Sequence, residues 1–326
     1  MSTKVWYGMT LSCEEHPPRR LVDIAAMAED SGFDFVSVSD HYHPGVDEQG
    51  HSPFVWSVLG AIAARTSSID VAVGVTCPIM RIHPAILAHA TATTAQLLAG
   101  RFTWGVGTGE ALNEHVLGQR WPPSDLRRSM LEEALDVVRQ LWTGEQVTHR
   151  GEHYTVENAK IYDPPDPAPP IVVSAFGPQA TALAAKIGDG LWVSGPDGET
   201  VDDFHRQGGS GPVYAQLTIC WAADRDEAIA TAHRIWPNTG VPGQLSQDLP
   251  TPTHFEQASS VVTKEQIAES VSCGPDPQPV IEMISKMVDA GIDHVYVHQI
   301  GQDQEGFCRF WVDEVAAKVK SLSVDR

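Results

Sequence analysis

The 326-residue chain is short of positive charge: 22 Lys and Arg stand against 42 Asp and Glu, a formal net charge of −20. That balance argues against non-specific contact with nucleic acid or an anionic membrane, both of which favour a basic surface. No stretch of eighteen apolar residues occurs, and the opening Met1-Ser2-Thr3-Lys4-Val5-Trp6 has neither a charged n-region nor an apolar h-region. We therefore expect no membrane span, no secretory signal and a cytoplasmic protein. The five cysteines, Cys13, Cys77, Cys220, Cys273 and Cys308, are odd in number, far apart and not in C-x-x-C pairs. This speaks against a disulfide framework or a thiolate zinc site and leaves free thiols as the expectation. A G-K-[ST] P-loop, an H-E-x-x-H pair, internal repeats and low-complexity tracts are also missing.

What is present is globular composition, 42% hydrophobic and 20% charged, arranged as short β-rich runs alternating with longer helical patterns. Eight candidate strands are legible: Lys4–Met9, Asp34–Val38, Asp70–Val75, Phe102–Val106, Pro170–Ala175, Gly190–Ser194, Val213–Trp221 and Asp293–His298. Between them lie helical stretches, among them Pro18–Ser31, Phe54–Thr66, Pro84–Leu98, Asp125–Trp142, Pro178–Ile187, Asp226–Ile235, Pro277–Ala290 and Gln304–Lys320. Leu131, Leu135, Val138 and Trp142 form one apolar stripe at spacings of three and four. The order predicts an α/β protein, a single (β/α)8 TIM barrel over residues 1–326 with two insertions at its rim. One, near 143–163, reads as a small hairpin; the other, near 237–262, is rich in Pro, Gly, Gln and Ser and reads as an irregular lid or binding loop.

Chemistry in such a barrel is built where strands end. The second strand runs into Asp40-His41, an imidazole beside an acid that can orient it, which suits a general base; a capping Asp followed by a surface His is the alternative. His41, His43 and His51 share a loop, but their spacing and the lack of a carboxylate partner do not make a metal set, and no metal is expected. The fourth strand ends in Gly105-Val106-Gly107-Thr108-Gly109, a G-x-G-x-G run that differs from the Rossmann fingerprint and would let a flat or anionic ligand approach the backbone. Glu110 and Asn113 follow, a carboxyl and an amide on the first helical turn. Small residues also close strand three (Gly74-Val75-Thr76-Cys77-Pro78) and strand five (Ser174-Ala175-Phe176-Gly177-Pro178).

Taken together, Val38-Ser39-Asp40-His41, Gly50-His51-Ser52-Pro53-Phe54, Gly105 through Glu114, Ala175-Phe176-Gly177-Pro178, Gly188-Asp189-Gly190 and Asp303-Gln304-Glu305-Gly306-Phe307 closely resemble the luciferase-like superfamily, and within it the family of coenzyme F420-dependent glucose-6-phosphate dehydrogenases and their relatives. The resemblance covers almost the whole chain. It implies a deazaflavin lying across the barrel mouth that exchanges a hydride with an alcohol carbon. It further implies that His41 is the catalytic base, Glu110 the group facing N1 of the ring and Glu14 another active-site acid. By the same resemblance, Asp40, Gly74, Val75, Thr76, Cys77, Gly107, Thr108, Asn113, Ala175, Phe176 and Gly177 contact the coenzyme, and Gly74-Val75 matches a non-prolyl cis peptide. A homodimer, with helices near strands two to four in contact, is implied as well.

Two departures stand out. The family's active-site Trp four residues after the base is Gly45 here, and its basic sugar-phosphate residues match Pro196, Leu245 and Ser270, none of them cationic. Phosphate recognition leans on Lys or Arg donors, so the expected substrate is uncharged and not glucose 6-phosphate. An FMN-dependent monooxygenase of the same superfamily and a coenzyme-binding protein without turnover are the alternatives.

Overall fold

The computed structural model describes residues 2–325. Eight parallel strands close on themselves: β1 (Trp6–Leu11), β2 (Phe35–Val38), β3 (Asp70–Thr76), β4 (Phe102–Val106), β5 (Ile171–Ser174), β6 (Gly190–Val193), β7 (Val213–Cys220) and β8 (His294–Gln299). Each pairs with the next, and β8 returns to β1 with Val295 opposite Tyr7, so the (β/α)8 barrel has no free edge. The strands are near-continuous apolar runs because both faces are covered, by helices outside and by side chains within.

The helices follow from local chemistry. Pro18, Pro84 and Pro178 stand in the first turns of α1 (Pro18–Asp30), α3 (Pro84–Leu98) and α5 (Pro178–Ile187), where no intrahelical N–H is needed. The stripe expected from spacing is real: Leu131, Leu135 and Val138 of α4 (Ser124–Trp142) are wholly buried, and Trp142 nearly so. α2 is Val55–Arg65, α6 Gly198–Arg206, α7 Arg225–Ile235, α8 Gln278–Asp289 and α9 Gln304–Phe310.

Inside the barrel sits an aromatic plug made of Phe35, Trp192, Tyr214 and Tyr296, with Trp6 and Val75 packed on it. Trp192 stacks on Tyr214 at a centroid distance of 4.6 Å and donates its indole N–H to the Tyr296 hydroxyl at 2.7 Å, so neither buried polar tip is left without a partner. The plug floors the mouth, since a Cβ on Gly74 would meet the Trp192 ring at 2.5 Å.

The structure amends the sequence reading in several places. β1 begins two residues late, and α6 was not among the expected helical stretches. Its nine residues, GETVDDFHR, carry only Val201 and Phe204 to the core, too few for a visible stripe. The stretch Gln304–Lys320 is not one helix: α9 gives way to a π-turn at Trp311–Val315 and a final turn at Ala316–Val319. The hairpin is present, Val147–Arg150 against Thr155–Ala159. The second insertion, expected to be irregular, carries a 3-10 turn at Pro237–Gly240 and helices at Leu245–Asp248 and Pro252–Ser259. These pieces are too short to set up a periodicity, and they are held by packing of Val241 and Phe255 on Val46 and Leu112. All five cysteines are free thiols, and among the described residues no helix is long and apolar enough to cross a membrane.

Gly105 owes its identity to this packing, because a Cβ there would collide with the Val73 carbonyl on the neighbouring strand. We expect Gly105→Ala to destabilise the fold by about 1–3 kcal/mol or more, as overpacking against rigid backbone does; urea unfolding of the variant beside wild type measures it, and equal midpoints would contradict the steric assignment.

Candidate active site

The carboxyl ends of β1, β2, β3 and β4 meet at one side of the barrel mouth. After β1 the chain places Ser12, Glu14 and Glu15 in the interior, all three buried. Glu14 Oε1 lies 2.5 Å from His41 Nδ1, and the opposite ring nitrogen, Nε2, lies 3.5 Å from Glu110 Oε1. Glu14 Oε2 accepts from the hydroxyls of Ser12 (2.9 Å) and Ser39 (2.8 Å). The three residues expected to be catalytic therefore form one chain of groups, Glu14–His41–Glu110, with Glu14 inaccessible and the other two facing the mouth at 35% and 29% side-chain exposure.

Electrostatics follow from that order. Burial works against charge on His41, but the Glu14 carboxylate outweighs it and, with Glu110 and Asp40 adding, lifts the ring to about 9. Burial also opposes charge on Glu14, yet His41 and the Ser39 hydroxyl hold it down at about 2. Glu110 is displaced upward, chiefly by burial, with His41 pulling the other way. At neutral pH the ring is an imidazolium locked to a carboxylate, beside a second carboxyl biased toward its neutral form.

Asp40 was expected to orient His41, and it does not. Its side chain points into the protein, where Oδ1 pairs with Arg81 at 2.8 Å, so Glu14 takes the orienting role. Successive residues leaving a strand face opposite ways, and neighbours in sequence are poor candidates for contact. Arg81, which the sequence reading missed, also receives Glu114: its backbone N–H donates to Oε2 at 3.0 Å and Nε to Oε1 at 3.4 Å. Only a buried Asp and a buried Glu from separate strand ends explain why an arginine stands there.

Asn113 also departs from expectation. It is buried, its Oδ1 accepts from the backbone N–H groups of Tyr42 (2.8 Å) and His43 (2.9 Å), and its Nδ2 donates to Glu110 Oε1 at 2.8 Å. The amide is committed to shaping the loop behind His41 and to aiming Glu110. Cys77 is likewise turned inward, its thiol raised well above its usual range by burial and packed beneath Gly109; only its backbone can face the mouth. Among the described residues no group of three or more His, Cys, Asp or Glu side chains could hold a metal ion, and His43 Nδ1 lies 2.9 Å from the Leu112 carbonyl oxygen.

The remaining positions stand at or just beyond the carboxyl ends of β3, β4 and β5. The peptide bond Gly74-Val75 is cis, and both residues are half-buried above the aromatic plug. Gly107 faces Val75 and Ser174, and a Cβ there would sit 3.1 Å from Val75 Cγ2. Thr108 is half-buried, Ala175 is buried, Phe176 is 64% exposed, and Gly177 has φ of 140°. Among the buried polar atoms without a hydrogen-bond partner are Thr76 Oγ1 and Asp40 Oδ2. Orphaned buried polar atoms are uncommon and point to a missing polar ligand.

The insertion roofs one side. Glu15 Oε1 accepts from the Trp236 indole (2.6 Å) and lies 2.8 Å from His298 Nε2, while Oε2 accepts from Gly301 N–H at 2.8 Å. Trp236 stands edge-on to His298 with centroids 4.8 Å apart. Two clefts lie elsewhere, a groove of 640 Å³ between the starts of α1 and α2 and one of 370 Å³ beside Glu48 and Arg234. Neither contains a residue of the Glu14–His41–Glu110 chain. The convergence of titratable groups therefore outweighs volume in choosing the site.

A family model described as luciferase-like monooxygenase matches residues 5–294. The F420-dependent glucose-6-phosphate dehydrogenase of Microbacterium testaceum (strain StLB037) is 33% identical, over 98% of this chain and 99% of its own. The enzyme of the same name from Segniliparus rotundus is 34% identical, over 99% and 100%. Among solved structures, an F420-dependent secondary alcohol dehydrogenase in complex with an F420-acetone adduct superposes with a TM-score of 0.90 at 29% identity, covering 97% of this chain and 99% of that one.

The Glu14 carboxylate is what raises His41, so Glu14→Gln should return the ring toward about 6.5, its unperturbed value. Proton NMR titration of the imidazole reads this directly. A ring that still titrates near 9 in the variant would mean that Glu110 or Asp40 carries the effect.

Proposed function

The chain belongs to the luciferase-like monooxygenase family and, within it, to the group that holds the F420-dependent glucose-6-phosphate dehydrogenases; from that membership and the chemistry of the mouth we propose an F420-dependent oxidoreductase acting on the CH–OH or C=O carbon of an uncharged small molecule. The observation that carries the reading is the Glu14–His41–Glu110 chain beside the half-buried Gly74-Val75 peptide. A soluble homodimer in the cytoplasm is part of the proposal.

The residues fit a planar coenzyme with polar edges. Thr76 Oγ1 and Asp40 Oδ2 are buried without partners, and Glu110 is biased toward the carboxylic acid that can donate to a ring nitrogen. Gly74, Val75, Thr76, Gly107, Thr108, Ala175, Phe176 and Gly177 would hold it, with Asp40 and Cys77 reached through their strand ends. When bound, F420 supplies a two-electron hydride acceptor and donor. His41 Nε2, the accessible ring nitrogen, is placed to hold the substrate oxygen and to exchange its proton. Glu14 keeps the ring oriented and stabilises its charged form, as a buried carboxylate does for a catalytic imidazole. Asn113 fixes Glu110.

Glucose 6-phosphate fits poorly as substrate. Pro196, Leu245 and Ser270 offer no charge to a phosphate, Arg81 is engaged by two carboxylates, and Arg127 is turned to the Gly109 carbonyl and Gln247. The solved relative whose name specifies a secondary alcohol gives the nearer chemical model.

Fluorescence titration with F420 and with FMN tests the coenzyme: saturable F420 binding is expected, and binding of FMN alone would sink the proposal. The direction of the His41 shift adds a pH signature. Alcohol oxidation needs the neutral ring, so its kcat/KM should climb until pH reaches about 9, while carbonyl reduction needs the imidazolium and should decline only as pH passes that value. Profiles with no slope there would remove His41 from the reaction.

A further inference from the structure

Gly45 is buried four residues beyond His41, and the space its missing side chain leaves is filled by Asn238 of the 3-10 turn at Pro237–Gly240. A Cβ on Gly45 would lie 2.5 Å from Asn238 Nδ2 and 3.1 Å from its Cγ. The two segments are clipped by Gln49, whose Oε1 accepts from Gly45 N–H at 2.7 Å and whose Nε2 donates to the Ile235 carbonyl (3.0 Å) and toward Asn238 Oδ1 (3.4 Å). Just before Asn238, Trp236 is pinned to Glu15, the residue next to the orienting Glu14. The insertion is therefore anchored on both sides of the ends of β1 and β2 that present His41. The anchoring uses the Asn238 oxygen but leaves its half-buried N–H2 group without a partner among the described residues.

On the functional reading above, we propose that Asn238 is a specificity-determining residue that donates a hydrogen bond to a second oxygen of the substrate, so that the preferred substrate is an uncharged diol or polyol and not a simple monohydric alcohol. Three features carry this. Residue 45, four positions after His41, meets a polar group where a side chain would otherwise stand. The group offered is a neutral donor, which suits a hydroxyl or ether oxygen and gives a phosphate no charge compensation. And the carboxamide is held by Gln49, so its orientation is set before substrate arrives, the condition under which one hydrogen bond discriminates.

The test uses trans-cyclohexane-1,2-diol and cyclohexanol with F420-loaded enzyme. The wild type is expected to favour the diol by about tenfold in kcat/KM, the worth of one well-placed neutral hydrogen bond. Asn238→Leu, similar in volume, and Asn238→Asp, which keeps the shape and loses the donor, should both bring that ratio to near one. Calorimetry on the same loaded proteins gives the diol's Kd independently of turnover, and it should weaken about tenfold in each variant. A diol preference that persists in both variants, or an unchanged Kd, overturns the role of Asn238. Failure of the wild type to bind F420 at all would instead overturn the functional reading beneath it.

Discussion

The mouth of this barrel is organised by the need to neutralise buried carboxylates. Glu14, Glu15, Asp40 and Glu114 are each at most 3% exposed, and an acid taken out of water must find opposite charge or several donors. Each finds them on a different strand end: Glu14 on His41, Glu15 on His298, Trp236 and Gly301, Asp40 and Glu114 together on Arg81. Loops with little regular structure are thereby cross-linked above the sheet, and the one acid left partly open, Glu110, faces the imidazole. A chain with a large excess of acids has turned several of them into its internal joinery.

Floor and roof follow from this arrangement. The aromatic plug is apolar and rigid, so it raises the usable cavity to the level of the Gly74-Val75 peptide. The roof is the insertion after α7, tied by Trp236 to Glu15 and packed by Val241 and Phe255 against the segment that follows His41. Between them the His41 ring is held by a carboxylate that solvent does not reach, which lifts its pKa to about 9.

The glycines of the fourth strand show how one motif divides its labour. Gly105 is excluded from bearing a side chain by the backbone of β3, and Gly109 by Cys77 and by its positive φ of 71°. Gly107 packs against Val75 and Ser174, and Gly105 meets Val75 as well. A run that reads as a ligand cradle is held chiefly by packing.

Strand count, barrel class and the strand-end positions of His41 and Glu110 were legible in the chain, because buried parallel strands are apolar runs and strand-end acids and imidazoles stand out against them, whereas Glu14 was marked only by the family resemblance. Local chemistry also marked helix starts such as Pro84 and Pro178. What tertiary structure alone decided is partnership. That Glu14 and not Asp40 orients the ring, that Asn113 is consumed by the loop at 42–43, that Arg81 serves two acids and that Asn238 occupies the space over Gly45 all depend on groups far apart in sequence. The order of residues fixes which face of a strand or helix a side chain takes, but only barrel closure brings the ends of different strands within hydrogen-bonding distance.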